Sequence, residues 1–173
     1  ISFMDADDLW TPDKLELQWQ ALQDNPQAAV AYSWTDYIGE SSQFLKSGRR
    51  IKANGDVFGR LLVTNFLENG SNPLISKEAL EKIGGFDESL SASEDFDLWL
   101  KLSANYEFVC VEKPQILYRS SINSLSSNLK NMEATSLKVI ERAFSYPKAY
   151  QFQHLKKQTI SEFYKYLTFK AIE

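Results

Sequence analysis

Ile1-Ser2-Phe3-Met4-Asp5-Ala6-Asp7-Asp8-Leu9-Trp10 carries an apolar run into three carboxylates, and Thr11-Pro12-Asp13-Lys14 follows as a helix start. Acids this closely spaced repel one another, so a fold keeps them at a strand end only where something offsets their charge. One offset is a hard divalent cation, which takes oxygen ligands and leaves positions open for phosphate. The segment is then a site for a metal-bound diphosphate. The other reading is a solvated acidic turn in which Asp8 or Thr11 caps the helix. The acids alone leave both standing.

Downstream, Pro12 suits a first helical position, and Leu15, Trp19 and Leu22 recur at helical spacing until Asn25-Pro26 stops the run. Ala28 to Trp34 predicts a short apolar strand. Thr35 to Asn54 predicts a hairpin or irregular excursion around Phe44-Leu45 and Ile51. Asp56 to Leu67 predicts a helix with Val57, Leu61, Leu62 and Phe66 on one side. Asn69-Gly70-Ser71-Asn72-Pro73 is a break, followed by a brief strand over Pro73 to Ser76. Lys77 to Ile83 predicts one or two helical turns ended by Gly84-Gly85. Ser93 to Leu102 predicts a helix with acids in its first turn. Phe108 to Val111 and Gln115 to Tyr118 predict two strands separated by Glu112-Lys113-Pro114. Ser120 to Asn128, rich in Ser and Asn, predicts a mobile loop. The remainder is helical: Leu129, Met132, Leu137, Ile140 and Phe144 share one stripe, and Phe152, Leu155, Phe163, Tyr166 and Leu167 another.

The 173 residues suffice for one domain with a real core, and a formal net charge of -4 argues against nucleic acid as main partner. Arg49-Arg50 with Lys52 is the tight basic group, and a small exposed pair usually meets no acidic partner. The single cysteine, Cys110, excludes an intrachain disulfide framework and, within Phe108-Val109-Cys110-Val111, reads as a core thiol. No stretch has the length of a transmembrane helix, and no signal peptide is expected.

Glu94, Asp95 and Asp97 form a second acidic group. Near a helix N-terminus Asp95 is stabilised as the anion by exposed amides, which makes it either a cap or a general base aimed at a hydroxyl. With Ile83-Gly84-Gly85-Phe86-Asp87-Glu88-Ser89-Leu90 between the two acid groups, and Leu117-Tyr118-Arg119 after them, the chain resembles the family 2 glycosyltransferases. These are inverting enzymes of the GT-A fold that use nucleotide-sugar donors. The matching blocks are Phe3 to Trp10 with Pro12, Lys14 and Leu15, then Ile83 to Leu90, Glu94 to Leu100, and Leu117 to Arg119. The C-terminal helices carry no family motif.

The resemblance implies an α/β chain: a partial GT-A fold, a mixed sheet flanked by helices, with a C-terminal helical tail. It implies an acceptor-side part of the catalytic domain over 1–125 and a helical extension over 126–173. Asp5-Ala6-Asp7-Asp8 matches the DXD-type motif, so Asp5, Asp7 and Asp8 would contact the donor. Asp7 or Asp8 would ligate the divalent metal, Mg or Mn. Asp95 would be the general base. Gly85, Phe86, Asp87, Glu94 and Trp99 would border the acceptor. The implied partners are a nucleotide-diphospho-sugar and a glycan, lipid-linked or other hydroxyl acceptor, in the cytoplasm or at the inner face of the membrane, in a polysaccharide-building, hexosyltransferase type of reaction. A homodimer through the C-terminal helices is expected, because Phe163, Tyr164, Tyr166 and Phe169 are too apolar for a bare surface and pack on the domain or on a second copy.

Two departures qualify the match. Family members often carry a metal-binding His after the Tyr-Arg strand, where Ser121 stands here; the only histidine, His154, lies in the helical tail and reads as solvated or packed. The family's N-terminal βαβ half would precede Ile1. With no initiator Met, the chain reads as a fragment with half of a nucleotide pocket, expected to have little or no transferase activity alone. A degenerate, non-catalytic glycan- or protein-binding module is the alternative. A metal-dependent phosphoryl-transfer domain would need a nucleophilic Asp or a Lys- and Gly-rich phosphate cradle, and neither is found. Trp10, Trp34 and Trp99 read as packing residues rather than sugar platforms, and Arg119 as a phosphate ligand or a partner of one of the acids.

Overall fold

Strand β2 (Ala28–Ile38) is the spine of the first of two units. The computed structural model describes residues 1–120 and 128–172, so Ser121 and all but the ends of the expected loop Ser120 to Asn128 lie outside the described residues. The first unit contains Ile1–Val57, Phe66–Gly84 and the segment beginning at Tyr106; the second contains Phe58–Asn65, Gly85–Asn105 and the C-terminal helices.

In the first unit, β1 (Leu9–Trp10), β2, β3 (Phe44–Ser47), β4 (Leu74–Ile75) and β5 (Glu107–Arg119) form a mixed sheet ordered β1-β5-β2-β3, with β4 also beside β2. β5 runs parallel to β2, and the other pairings are antiparallel. Val30, Ala31 and Tyr32 are wholly buried, as expected for a strand covered on both faces. β5 is one strand where the sequence predicts two. Pro114 lacks an N–H, so the ladder shifts register around its partner Trp34 and then resumes at Thr35 with Ile116. That resumed pairing also carries β2 past Trp34 to Ile38. The predicted excursion after it contains β3, a hairpin partner of β2.

Helix α1 (Lys14–Asp24) turns its apolar periodicity outward: Leu15 and Trp19 are 47% and 56% exposed, while Lys14 and Gln18 are fully buried. Polar partners explain the inversion. Lys14 Nζ donates to Ser2 Oγ (3.1 Å) and Gln18 Oε1 (3.3 Å), and Gln18 Nε2 donates to Ser33 Oγ and to the Asn72 carbonyl (both 3.1 Å). Asn72 closes the set by exchanging hydrogen bonds with the backbone of Ser33. A buried polar network of this kind is stable only when its members are satisfied.

The second unit holds helices α2 (Phe58–Val63), α4 (Glu94–Asn105), α5 (Leu129–Phe144) and α6 (Lys156–Ile172), with a 3-10 segment over Pro147–Leu155; helix α3 (Lys77–Ile83) belongs to the first. Phe58, Leu61, Leu62, Leu98, Trp99 and Ile140 form its core. Of the aromatic stripe on α6, Phe163 is half-buried, whereas Tyr164, Tyr166 and Phe169 are exposed. No described helix is long and apolar enough to cross a membrane.

Candidate functional site

The acid turn is held from two directions. Ser71 Oγ accepts the Asp5 N–H (2.9 Å) and donates to Asp8 Oδ2 (2.6 Å), while the Ser71 carbonyl accepts Trp10 Nε1 (2.9 Å). From the end of β5, the Arg119 N–H donates to Asp8 Oδ1 (2.9 Å). Both oxygens of Asp8 are thus engaged and the residue is only 3% exposed. Burial pushes its carboxyl above the usual range, against these two hydrogen bonds and with a smaller push from the Asp5 and Asp7 charges. Asp5 and Asp7 are exposed.

Among the described residues the Arg119 guanidinium pairs with no carboxylate side chain and bonds backbone carbonyls and a hydroxyl instead. Nε donates to the Asp7 carbonyl (2.8 Å), and Nη1 to the carbonyls of Gly39 (2.8 Å) and Glu40 (2.9 Å) and to Ser42 Oγ (3.1 Å). It staples the backbone of the acid turn to the β2–β3 connection. Beneath the turn, Lys14 Nζ lies 3.9 Å from the Trp10 ring centroid, with no carboxylate paired to it among the described residues. Burial pulls its titration down to about 7.

Among the described residues no group of three or more His, Cys, Asp and Glu side chains converges into a metal cage. A Mg or Mn ion is commonly held by one or two carboxylates and completed by substrate phosphate and water. The exposed Asp5 and Asp7 suit an open site of that kind. Asp8, with each oxygen hydrogen-bonded, suits the holding of the turn.

The acids of the other group lie in the second unit. Gly84 and Gly85 both have positive φ (82° and 70°), which glycine adopts without strain, and the chain then turns through Phe86 and Asp87. Asp87 Oδ1 accepts from the Ser89 hydroxyl (2.6 Å) and N–H (3.0 Å), and Oδ2 pairs with Arg142 Nη1 (2.8 Å). Those contacts, the Ser89 hydroxyl first, hold its carboxyl far below the usual range. Glu94 is exposed and Asp95 half-buried; Asp95 Oδ1 accepts the neighbouring Phe96 N–H (2.6 Å) at the start of α4. Asp97 is 1% exposed, with Arg142 Nη1 3.0 Å from Oδ1. Lys101 Nζ is 2.7 Å from Oδ2, off the angle of a hydrogen bond, so that contact is ionic. Trp99 is fully buried and its indole N–H has no partner among the described residues. Its ring is core, as the packing reading has it, and Trp99 has no exposed surface with which to border an acceptor.

Ser71, Lys14 and Arg142 are the residues that pattern reading missed. Ser71 sits in what reads as a plain break, and Lys14 in a block matched for its resemblance, with no buried partner read for it. Arg142 had one indirect signal: Asp97 falls among the apolar positions of α4, and a buried carboxylate needs a cation.

A family model described as glycosyltransferase like family 2 matches residues 1–171. An uncharacterized glycosyltransferase of Methanocaldococcus jannaschii is 28% identical over 120 residues, which is 69% of this chain and 41% of that protein. Chondroitin synthase of Escherichia coli is 23% identical across 100% of this chain and 25% of its own length. Among solved structures, S. aureus TarS 1-349 in complex with UDP-GlcNAc aligns with a TM-score of 0.56 at 14% identity, over 93% of this chain and 54% of that one. The chain therefore spans about half, or less, of the length of the proteins it matches. The likeness to TarS is one of fold, and the GT-A expectation stands on it.

Proposed function

The chain belongs to glycosyltransferase like family 2, and from that membership we propose that it supplies part of the catalytic domain of an enzyme that transfers a sugar from a nucleotide-diphospho-sugar to an acceptor hydroxyl. The family match over 1–171 carries the proposal. The acids add chemical support. Asp95 lies at the start of a helix, where exposed amides favour the anion, as a general base for the acceptor requires. One direct displacement would then invert the anomeric centre. Asp7, with Asp5, would hold Mg or Mn on the donor diphosphate, and Asp8, Ser71 and Arg119 would keep that turn in place. The metal, when bound, would offset charge on the leaving diphosphate. Hexosyl transfer into a polysaccharide, on the cytoplasmic side, is the corresponding proposal for substrate and place.

The test uses the full-length gene product. TarS is solved with UDP-GlcNAc, so UDP-GlcNAc leads a panel of nucleotide-sugars. Asp95→Asn is expected to lower kcat by about 10²–10⁴ while UDP binding with Mn, measured by calorimetry, is retained. Transfer by Asp95→Asn at the wild-type rate would refute the assignment.

A further inference from the structure

We propose that Arg142 is a positioning residue for the segment that leads into α4 and for the helix start that carries Asp95; this rests on the base role proposed for Asp95. A single nitrogen, Nη1, stands between two carboxylates, 2.8 Å from Asp87 Oδ2 and 3.0 Å from Asp97 Oδ1. One cation on α5 thereby pins both ends of the stretch from Asp87 to Asp97. Asp97 is buried, and losing one partner of a buried pair is far more costly than losing an exposed one.

The same helix grips the stretch at two intermediate points. Ser91 Oγ donates to Asn131 Oδ1 (3.0 Å), and the Ser93 and Ser136 hydroxyls share a hydrogen bond of 2.7 Å. Ser93 has φ 59°, a left-handed conformation that serine rarely adopts, and it persists where surrounding contacts over-determine it. Asp95 stands two residues on, at the second position of the helix. Without Arg142, among the described residues Asp87 keeps only Ser89 and Asp97 only Lys101, and the backbone between them is no longer fixed at its ends. A general base displaced by about 1 Å can cost about 100-fold in rate.

Hydrogen exchange and kinetics on the full-length gene product test this. In Arg142→Gln, amides across 87–97 are expected to exchange at least about tenfold faster while those of β2 and β5 do not change, because the added opening is confined to one cooperative stretch. The kcat for UDP-GlcNAc, or for whichever panel donor the wild type uses, is expected to fall about 10- to 100-fold with UDP affinity unchanged. Arg142→Lys should recover most of both, since one ammonium can also stand between two carboxylates. Unchanged exchange across 87–97 in a folded Arg142→Gln, or faster exchange with unaltered kcat, overturns the proposal. If Arg142→Gln does not fold, Asp87→Asn is read instead: it leaves the buried pair intact, and unchanged exchange at 87–93 overturns the proposal equally. A wild type that turns over no donor in the panel sinks the transferase reading instead, and the exchange measurement then judges the clamp by itself.

Discussion

Lys14 is wholly buried on α1, its ammonium faces two neutral oxygens and an indole ring, and Lys14→Met should change how stability depends on pH. Burial pulls the folded-state titration of this lysine from 10.5 to about 7. Below pH 7 it is protonated whether the chain is folded or not, and the folded chain bears the cost of a buried charge. Between about 7 and 10.5 the unfolded chain holds the extra proton, so stability rises with pH. The slope approaches about 1.4 kcal/mol per pH unit, which integrates to about 2 kcal/mol between pH 7 and 9. Attraction to the Trp10 ring, worth about 0.5–2 kcal/mol, lifts the folded titration point and makes that figure an upper value. Met keeps the length of the stem and removes the titration. It also deprives Ser2 and Gln18 of a donor, a cost of about 1–2 kcal/mol that is the same at every pH. Urea unfolding of both proteins at pH 7, 8 and 9 gives the comparison. Wild-type stability minus that of Lys14→Met should grow by up to about 2 kcal/mol over this range. Parallel stability curves would refute the account, because they would mean that Lys14 keeps an ordinary titration inside the fold.

Ser71→Ala removes the acceptor of the Asp5 N–H and the donor to Asp8 Oδ2. It should cost about 1–3 kcal/mol in urea unfolding and weaken UDP binding in the presence of Mn; wild-type values in both would show that Ser71 does not hold the turn. Gly59→Ala would bring a methyl group 2.5 Å from Phe152 Cε1 on the 3-10 segment. A loss of about 1–3 kcal/mol is expected, partly recovered by adding Phe152→Leu, and a neutral effect would mean that the ring moves aside freely.

The legible features were those written into neighbouring residues. The acid turn, the helix with acids in its first turn and the Gly84-Gly85 break depend on local chemistry, and each lies where its pattern places it. Pattern reading failed where a partner distant along the chain decided the outcome. Glu112-Lys113-Pro114 carries the local marks of a break, yet β5 runs through it because β2 supplies ladder partners on both sides of Pro114. Leu15 and Trp19 have the spacing of a buried face, yet α1 buries Lys14 and Gln18 because Ser2, Ser33 and Asn72 await them.

The candidate acids were therefore present in the chain as written, as short runs of residue types with their own chemical meaning, and family and fold class were legible through the resemblance that those motif blocks carry. Which acid is hydrogen-bonded on both oxygens, which is left exposed, and which cation holds the second group were decided only by folding. Asp8 and Asp7 are neighbours with the same side chain. One is buried because Ser71 and Arg119, both remote in sequence, close on it; the other is exposed because its backbone carbonyl, and not its carboxylate, is what Arg119 grips.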